Sequence, residues 1–351
     1  MKGKISYIYT PEDWDQNQFL SLGGFTVVFL NYNKKSFIER SVESALSQDF
    51  PLCEMFFMDD ASTDGSGDTM ESIVRNYRGR HKVEVVRNTA NQYITGQWNI
   101  VSKLATGKWL GMFCADDIAH RDRVSVAAKL IQLHPTLLGL CTSFEENYID
   151  DSLTKYKLKH NGMYILEDYS IDISTTRTPI VGATSWWNIK LFKQSLPFAP
   201  LDDLLIRWII HSNSKGIAEP TWLFDGDIQT VEYGIGSGIT SENNVHIQEE
   251  SDYVNGWLAR TKSMKKFANL EAKTYNAIAT YMDMIGDYSI SNLANKRAIM
   301  AEIYKGNTVT RLTLIKQSFR YGISKYWLKF FIRELLGLRA TAYISKIIHN
   351  N

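Results

Sequence analysis

The 351-residue chain has little cysteine, almost no net charge and no long apolar run, and each shortage excludes a class of protein. Its three cysteines, Cys53, Cys114 and Cys141, lie far apart. They make no zinc spacing and cannot all pair, which excludes a disulfide-stapled miniprotein and suits a reducing compartment. Lys and Arg number 39 against 38 Asp and Glu. A duplex-binding domain carries a clear basic excess, so no nucleic-acid partner is expected. No apolar run approaches the roughly 18 residues of a membrane-spanning helix. Met1 to Gln16 carries no apolar stretch of a secretion signal. There is no Walker lysine, no dinucleotide fingerprint, no histidine pair at ligand spacing and no internal repeat. What remains is 44% hydrophobic and 22% charged, enough to bury a sizeable core.

The charge is unevenly spread. From Arg311 onward eight basic residues face one acid, Glu334. The tail is therefore about +7 and the rest about −6.

The first half alternates strand and helix signals. Phe25–Leu30 is a short apolar, β-branched run that predicts a buried strand. Phe37, Ile38, Val42, Ala45 and Leu46 recur at helical spacing before Pro51. Further strands are predicted at 54–58, 83–87, 109–113 and 137–142, with helices between them, the last two over 94–105 and 121–133. Strands separated by helices need crossover connections, which implies a mainly parallel sheet covered on both faces. Ligands of such sheets bind beyond the carboxyl ends of the strands. Asp59-Asp60 and Asp116-Asp117 both stand there.

Each acidic pair has two readings. Asp116 and Asp117 either cap the following helix or hold a magnesium or manganese ion with substrate phosphates. Asp59-Asp60, with Ser62, Thr63 and Asp64, makes a turn that caps a helix near Gly67, and serves a ligand only if a donor such as a uracil NH faces Asp60. Asp202-Asp203 precedes a helix over 204–211; an acid there suits the helix dipole or acts as a general base. The loop 234–241, with glycines at 234, 236 and 238, suits a mobile lid. Trp186-Trp187 either stacks on a sugar or, as is commoner for paired aromatics, joins the core.

Taken in order from Phe25 to Ser241, these segments resemble the family 2 glycosyltransferases, inverting enzymes of the GT-A fold. The resemblance is carried by Thr26–Asn33 with its Tyr-Asn turn, by Ser41–Gln48, and most distinctively by Glu54–Ser66. It continues through Asn91, Asn99, Ala105 and Gly107, Cys114-Ala115-Asp116-Asp117, Gly182-Ala183-Thr184, Asp202-Asp203 and the Tyr233–Ser241 loop. It implies an α/β catalytic domain over 23–244: a Rossmann-like, mainly parallel mixed sheet with helices on both faces. Flanking it are an extension over 1–22 and a helical region over 245–351.

The resemblance also implies a nucleotide-sugar donor site, with a UDP-sugar expected. Leu30, Asn31, Tyr32 and Asn99 would line it, Asp60 would face the base, and Asp116 would contact ribose or diphosphate. Asp117, with Asp116, would hold a divalent Mn or Mg ion. Asp203 would be the catalytic base, with Asp202 the alternative. The expected reaction is transfer to a hydroxyl of a glycan acceptor, lipid-linked, in surface-polysaccharide synthesis. Three positions depart from the family pattern: Leu30 stands for a frequent proline, Cys114 for the first acid of Asp-x-Asp, and Gly234 for a frequent arginine. Cys114 and Gly234 favour the competing reading, a non-catalytic nucleotide- or glycan-binding scaffold.

In the tail, Lys325, Lys329 and Arg333 share one face of a predicted helix, opposite Trp327, Leu328, Phe331 and Leu335. Such a face either packs on the body or lies on an anionic membrane. The resemblance to enzymes with lipid-linked acceptors favours a peripheral location on the inner face of the cytoplasmic membrane. The helical stretch 245–305 is a candidate homo-oligomer face.

Overall fold

The computed structural model describes residues 22–147, 163–165, 182–192, 194–199, 202–214, 221–234 and 253–305. The extension, the loop beyond Gly234 and the basic tail lie outside these. Two compact units divide the chain, the second starting at Gly238 and including 199–201.

The first unit is built on β1 (Phe25–Asn31), β2 (Glu54–Asp59), β3 (Lys82–Arg87), β4 (Trp109–Cys114), β5 (Ile118–Ala119), β6 (Gly139–Asn147), β7 (Met163–Ile165), β8 (Trp186–Asn188) and β9 (Trp222–Gly234). They form one sheet in the order β3-β2-β1-β4-β8-β6-β9-β5, with β7 on β9. The first four strands are parallel, as predicted. Helices α1 (Ile38–Leu46), α2 (Ser66–Asn76), α3 (Tyr93–Leu104) and α4 (Arg123–Leu133) make the connections around them. The fold is therefore the expected α/β class with a mixed, mainly parallel sheet. The fifth predicted strand, β6, does not lie beside β4. The short antiparallel β8 comes between them.

Every residue of β1 and β2 is buried, which is why both read as unbroken apolar runs. Burying each of their large apolar side chains contributes about 1.5–3 kcal/mol. β3, at the sheet's edge, alternates partly exposed residues. In α1, Ile38, Val42 and Ala45 turn one stripe inward. Trp186 and Trp187 are core: Trp186 packs edge-on against Phe25 and Phe113, and Trp187 stacks on Trp222 at 5.1 Å. The sugar-stacking alternative for this pair is thereby excluded.

Helix α5 (Asp202–Ser214) closes the helical set of this unit. In the second unit, α6 (Tyr253–Met284) and α7 (Tyr288–Lys305) pack on each other across a turn at Gly286. Ile290, Ala294, Ala298 and Ala301 form the buried stripe of α7. Among the described residues no helix is long and apolar enough to cross a membrane.

Candidate active site

Strand register assembles the site. Parallel pairing sets Asn31 opposite Asp59, and Leu30 opposite both Met58 and Cys114. The polar residues that end β1, β2 and β4 thus meet at one carboxyl edge. Leu30 is buried within β1 and its carbonyl accepts from Ala115 N, so it contributes wall rather than a polar group. Tyr32, one step past the strand, is 45% exposed.

The two acids after β2 have different duties. Asp59 is an internal tie: its Oδ1 accepts from Asn31 Nδ2 at 2.7 Å, and Arg87 Nε lies 3.5 Å from its Oδ2. Arg87 also reaches Asp68 and Glu71 on α2 at 2.5 and 3.3 Å, anchoring that helix to the sheet. The Asn31 amide donates further to Ser66 Oγ at 3.0 Å and Ser62 Oγ at 3.3 Å. Asp60 instead holds the loop after β3: its Oδ1 accepts from Asn88 Nδ2 at 2.8 Å and Gln92 N at 2.7 Å. Its Oδ2 takes no donor among the described residues, which leaves one acceptor for a ligand.

Between these strands the loops are sewn together. Asn33, Ala61 and Tyr93 all adopt left-handed backbone, with φ of 53°, 62° and 56°. For non-glycine residues this is costly and needs surrounding support. The support is visible: Asn33 N donates to Ser62 Oγ, Thr63 N donates to Asn33 Oδ1, and Lys35 N donates to Asp64 Oδ2. Asp64 also accepts from Ser66 N and Oγ. Burial alone would raise the Asp64 pKa, but these hydrogen bonds outweigh it and hold the carboxyl below its usual range. Gly65, at φ 83°, makes the turn into α2, and a Cβ on Gly67 would stand 2.6 Å from Asp59 Oδ2.

After β4, the ligand atoms of Cys114, Asp116 and Asp117 lie within 4.8 Å of one another. Asp117 is 4% exposed. Lys34, from the loop after β1, places Nζ 2.7 Å from Asp116 Oδ2. Arg123, buried in α4, stacks on Phe113 at 3.9 Å and donates through Nη2 to Met112 O. Burial pulls its pKa down to about 10, against the opposing pull of Cys114 and Asp117, so it is cationic at neutral pH. Asp116 is thus paired with Lys34, and Asp117 lies within the electrostatic reach of Arg123.

The other expected residues fall differently. Asn99 is not with the group: its Nδ2 donates to Leu196 O and its Oδ1 accepts from Leu196 N, each at 2.6 Å. With both ends of the amide engaged, it is a strut for residues 194–199 rather than a donor ligand. Asp202 and Asp203 occupy the first turn of α5; their side chains lie outside the described residues, as does the loop 235–241. Sequence reasoning missed Lys34, Arg123 and Gln92. Lysine in a loop and arginine at a helix start carry no pattern that marks a site. Tyr93, left-handed like Asn33 and Ala61, 49% exposed and edge-on to Phe198 at 4.8 Å, breaks a local rule, but φ is invisible in sequence. A cavity of about 350 Å³ lined by Lys103, Lys190 and Phe192 follows Asn188, which pairs with Trp109 at the amino end of β4, so it is not part of this site.

Comparison with known proteins follows this geometry. Residues 26–193 match the family described as Glycosyl transferase family 2. A stretch of 92 residues, 26% of the chain, is 29% identical to the UDP-Glc:alpha-D-GlcNAc-diphosphoundecaprenol beta-1,3-glucosyltransferase WfaP of Escherichia coli, covering 35% of it. Another of 154 residues, 44% of the chain, is 27% identical to the hyaluronan synthase of Pasteurella multocida, covering 15% of it. The chain thus spans well under half the length of these curated relatives. Among solved structures, S. aureus TarS 1-349 in complex with UDP-GlcNAc overlays with a TM-score of 0.49 at 17% identity, over 79% of this chain and 81% of that one.

Proposed function

We propose, from the premise that residues 26–193 form a family 2 glycosyltransferase domain, that the chain transfers a sugar from a nucleotide-sugar donor to a glycan hydroxyl. The observation that carries this reading is the meeting of Asp60, with an open Oδ2, and the Cys114–Asp116–Asp117 group at one carboxyl edge of a parallel sheet. Asp60 offers a carboxylate to a base NH, and Tyr32, the residue after β1, an exposed ring. Uracil presents such an NH, and a UDP-sugar is the proposed donor.

The two carboxylates of this group fit a divalent ion, Mn or Mg. Asp117 and Asp116 would hold it; when bound, it supplies charge to the departing diphosphate. Asp203, or its neighbour Asp202, takes the proton from the acceptor hydroxyl as that oxygen bonds to the anomeric carbon. The bond from that carbon to the diphosphate breaks in the same displacement, and one base suffices for inversion. Surface-polysaccharide synthesis with a lipid-linked acceptor suits the relatives matched, and the basic tail beyond Thr308 would hold the enzyme at the inner membrane face.

The test is turnover. Nucleoside diphosphate release from UDP-sugars with glycan acceptors should fall by about 10²–10⁴-fold in Asp203→Asn, with UDP affinity retained. Release that never exceeds background in the wild type, despite nucleotide binding, would instead establish a scaffold.

A further inference from the structure

We propose that Lys34 is a built-in placeholder: its ammonium holds Asp116 until the divalent ion arrives, then turns to the donor's diphosphate. This rests on the donor-site reading above. Three observations carry it. Lys34 Nζ is 2.7 Å from Asp116 Oδ2, with the side chains only 20% and 12% exposed. The Asp116 carboxylate belongs to the cluster that fits a metal. The Lys34 backbone is fixed, because its carbonyl accepts from both Phe37 N and Ile38 N at 3.0 Å, and its neighbours Asn33 and Lys35 are tied to the loop after β2.

The physical consequence is exchange. Two adjacent, largely buried carboxylates are costly without compensating charge, which Lys34 and Arg123 supply at rest. A divalent ion on Asp116 repels the ammonium that sat there. An anion arriving with the ion gives the ammonium a new partner within reach of the same fixed loop. The diphosphate is that anion. Lys35 is committed elsewhere, to Thr69 Oγ1 and Gly65 O.

The variant Lys34→Gln separates the two halves of the exchange. Mn²⁺ alone, titrated by electron paramagnetic resonance, should bind about fivefold tighter than to the wild type, since no ion pair must be broken. UDP in saturating Mn²⁺, titrated calorimetrically, should bind about tenfold weaker through the lost charged hydrogen bond. UMP, which lacks the second phosphate, should lose less than UDP. An unchanged melting temperature confirms that the variant folds. Mn²⁺ affinity that stays level or falls in the variant, or an equal loss for UMP and UDP, would overturn the placeholder while leaving the donor site standing. A wild type that binds neither Mn²⁺ nor UDP would overturn both.

Discussion

Asp60→Asn is an isosteric change that reverses the polarity of one atom. The asparagine Oδ1 can keep both acceptor duties, to Asn88 Nδ2 and Gln92 N, so the loop after β3 stays in place. Only the charge assistance is lost, at about 1 kcal/mol, or roughly 2–4 °C in melting temperature for a domain of this size. The second position changes from an open acceptor to an NH₂ donor. Uracil presents a ring NH, so an accepted charged hydrogen bond becomes a clash of donors. A charge-assisted bond is worth about 1.5–3 kcal/mol, which weakens UDP about 10- to 150-fold. Cytosine presents an unprotonated ring nitrogen at the same place, so CDP should gain on UDP. Paired calorimetric titrations of UDP and CDP in Mn²⁺ measure both changes. Equal losses for the two nucleotides, or none, would refute the placement of Asp60 against the base.

Gly67→Ala tests the tie beneath the site. Its Cβ would stand 2.7 Å from Asp59 Cγ and 2.8 Å from Arg87 Nη2, so the variant should lose about 1–3 kcal/mol in denaturant unfolding despite alanine's better helix propensity. His81 gives a pH dependence. Its Nδ1 accepts from Cys53 N at 3.2 Å and its Nε2 faces Gln48 O at 3.0 Å, a fit for the neutral ring. Burial lowers its pKa below 6.5, with the charge of Arg80 adding to this and the Gln48 contact opposing it. The unfolded chain then binds the extra proton, so this stability is full above pH 6.5 and declines as pH falls below it. Melting of wild type and His81→Gln at pH 7.5 and 5.5 isolates the contribution, and an identical pH slope in both would count against it.

The carboxyl edge of the sheet was legible because β1, β2 and β4 are buried on both faces and end abruptly in polar residues. Continuous apolar runs fix strand positions, and a parallel sheet fixes which ends meet. Register then explains the Asn31–Asp59 pair, which no local pattern announces. Asn99 shows the opposite case. A helical asparagine looks the same in sequence whether it meets a ligand or, as here, the backbone of Leu196. Lys34–Asp116 joins two loops through the β1–β4 pairing, across a separation that periodicity cannot bridge. The β8 insertion escaped because three residues, Trp186–Asn188, are too few to show a period of two.

The most direct test of the donor site is calorimetric titration of UDP, with and without Mn²⁺, into the wild type and Asp117→Ala, with GDP and dTDP as controls. The account predicts Mn²⁺-dependent binding of UDP in preference to the controls, lost in Asp117→Ala. No nucleotide binding in the wild type at any Mn²⁺ concentration would contradict it.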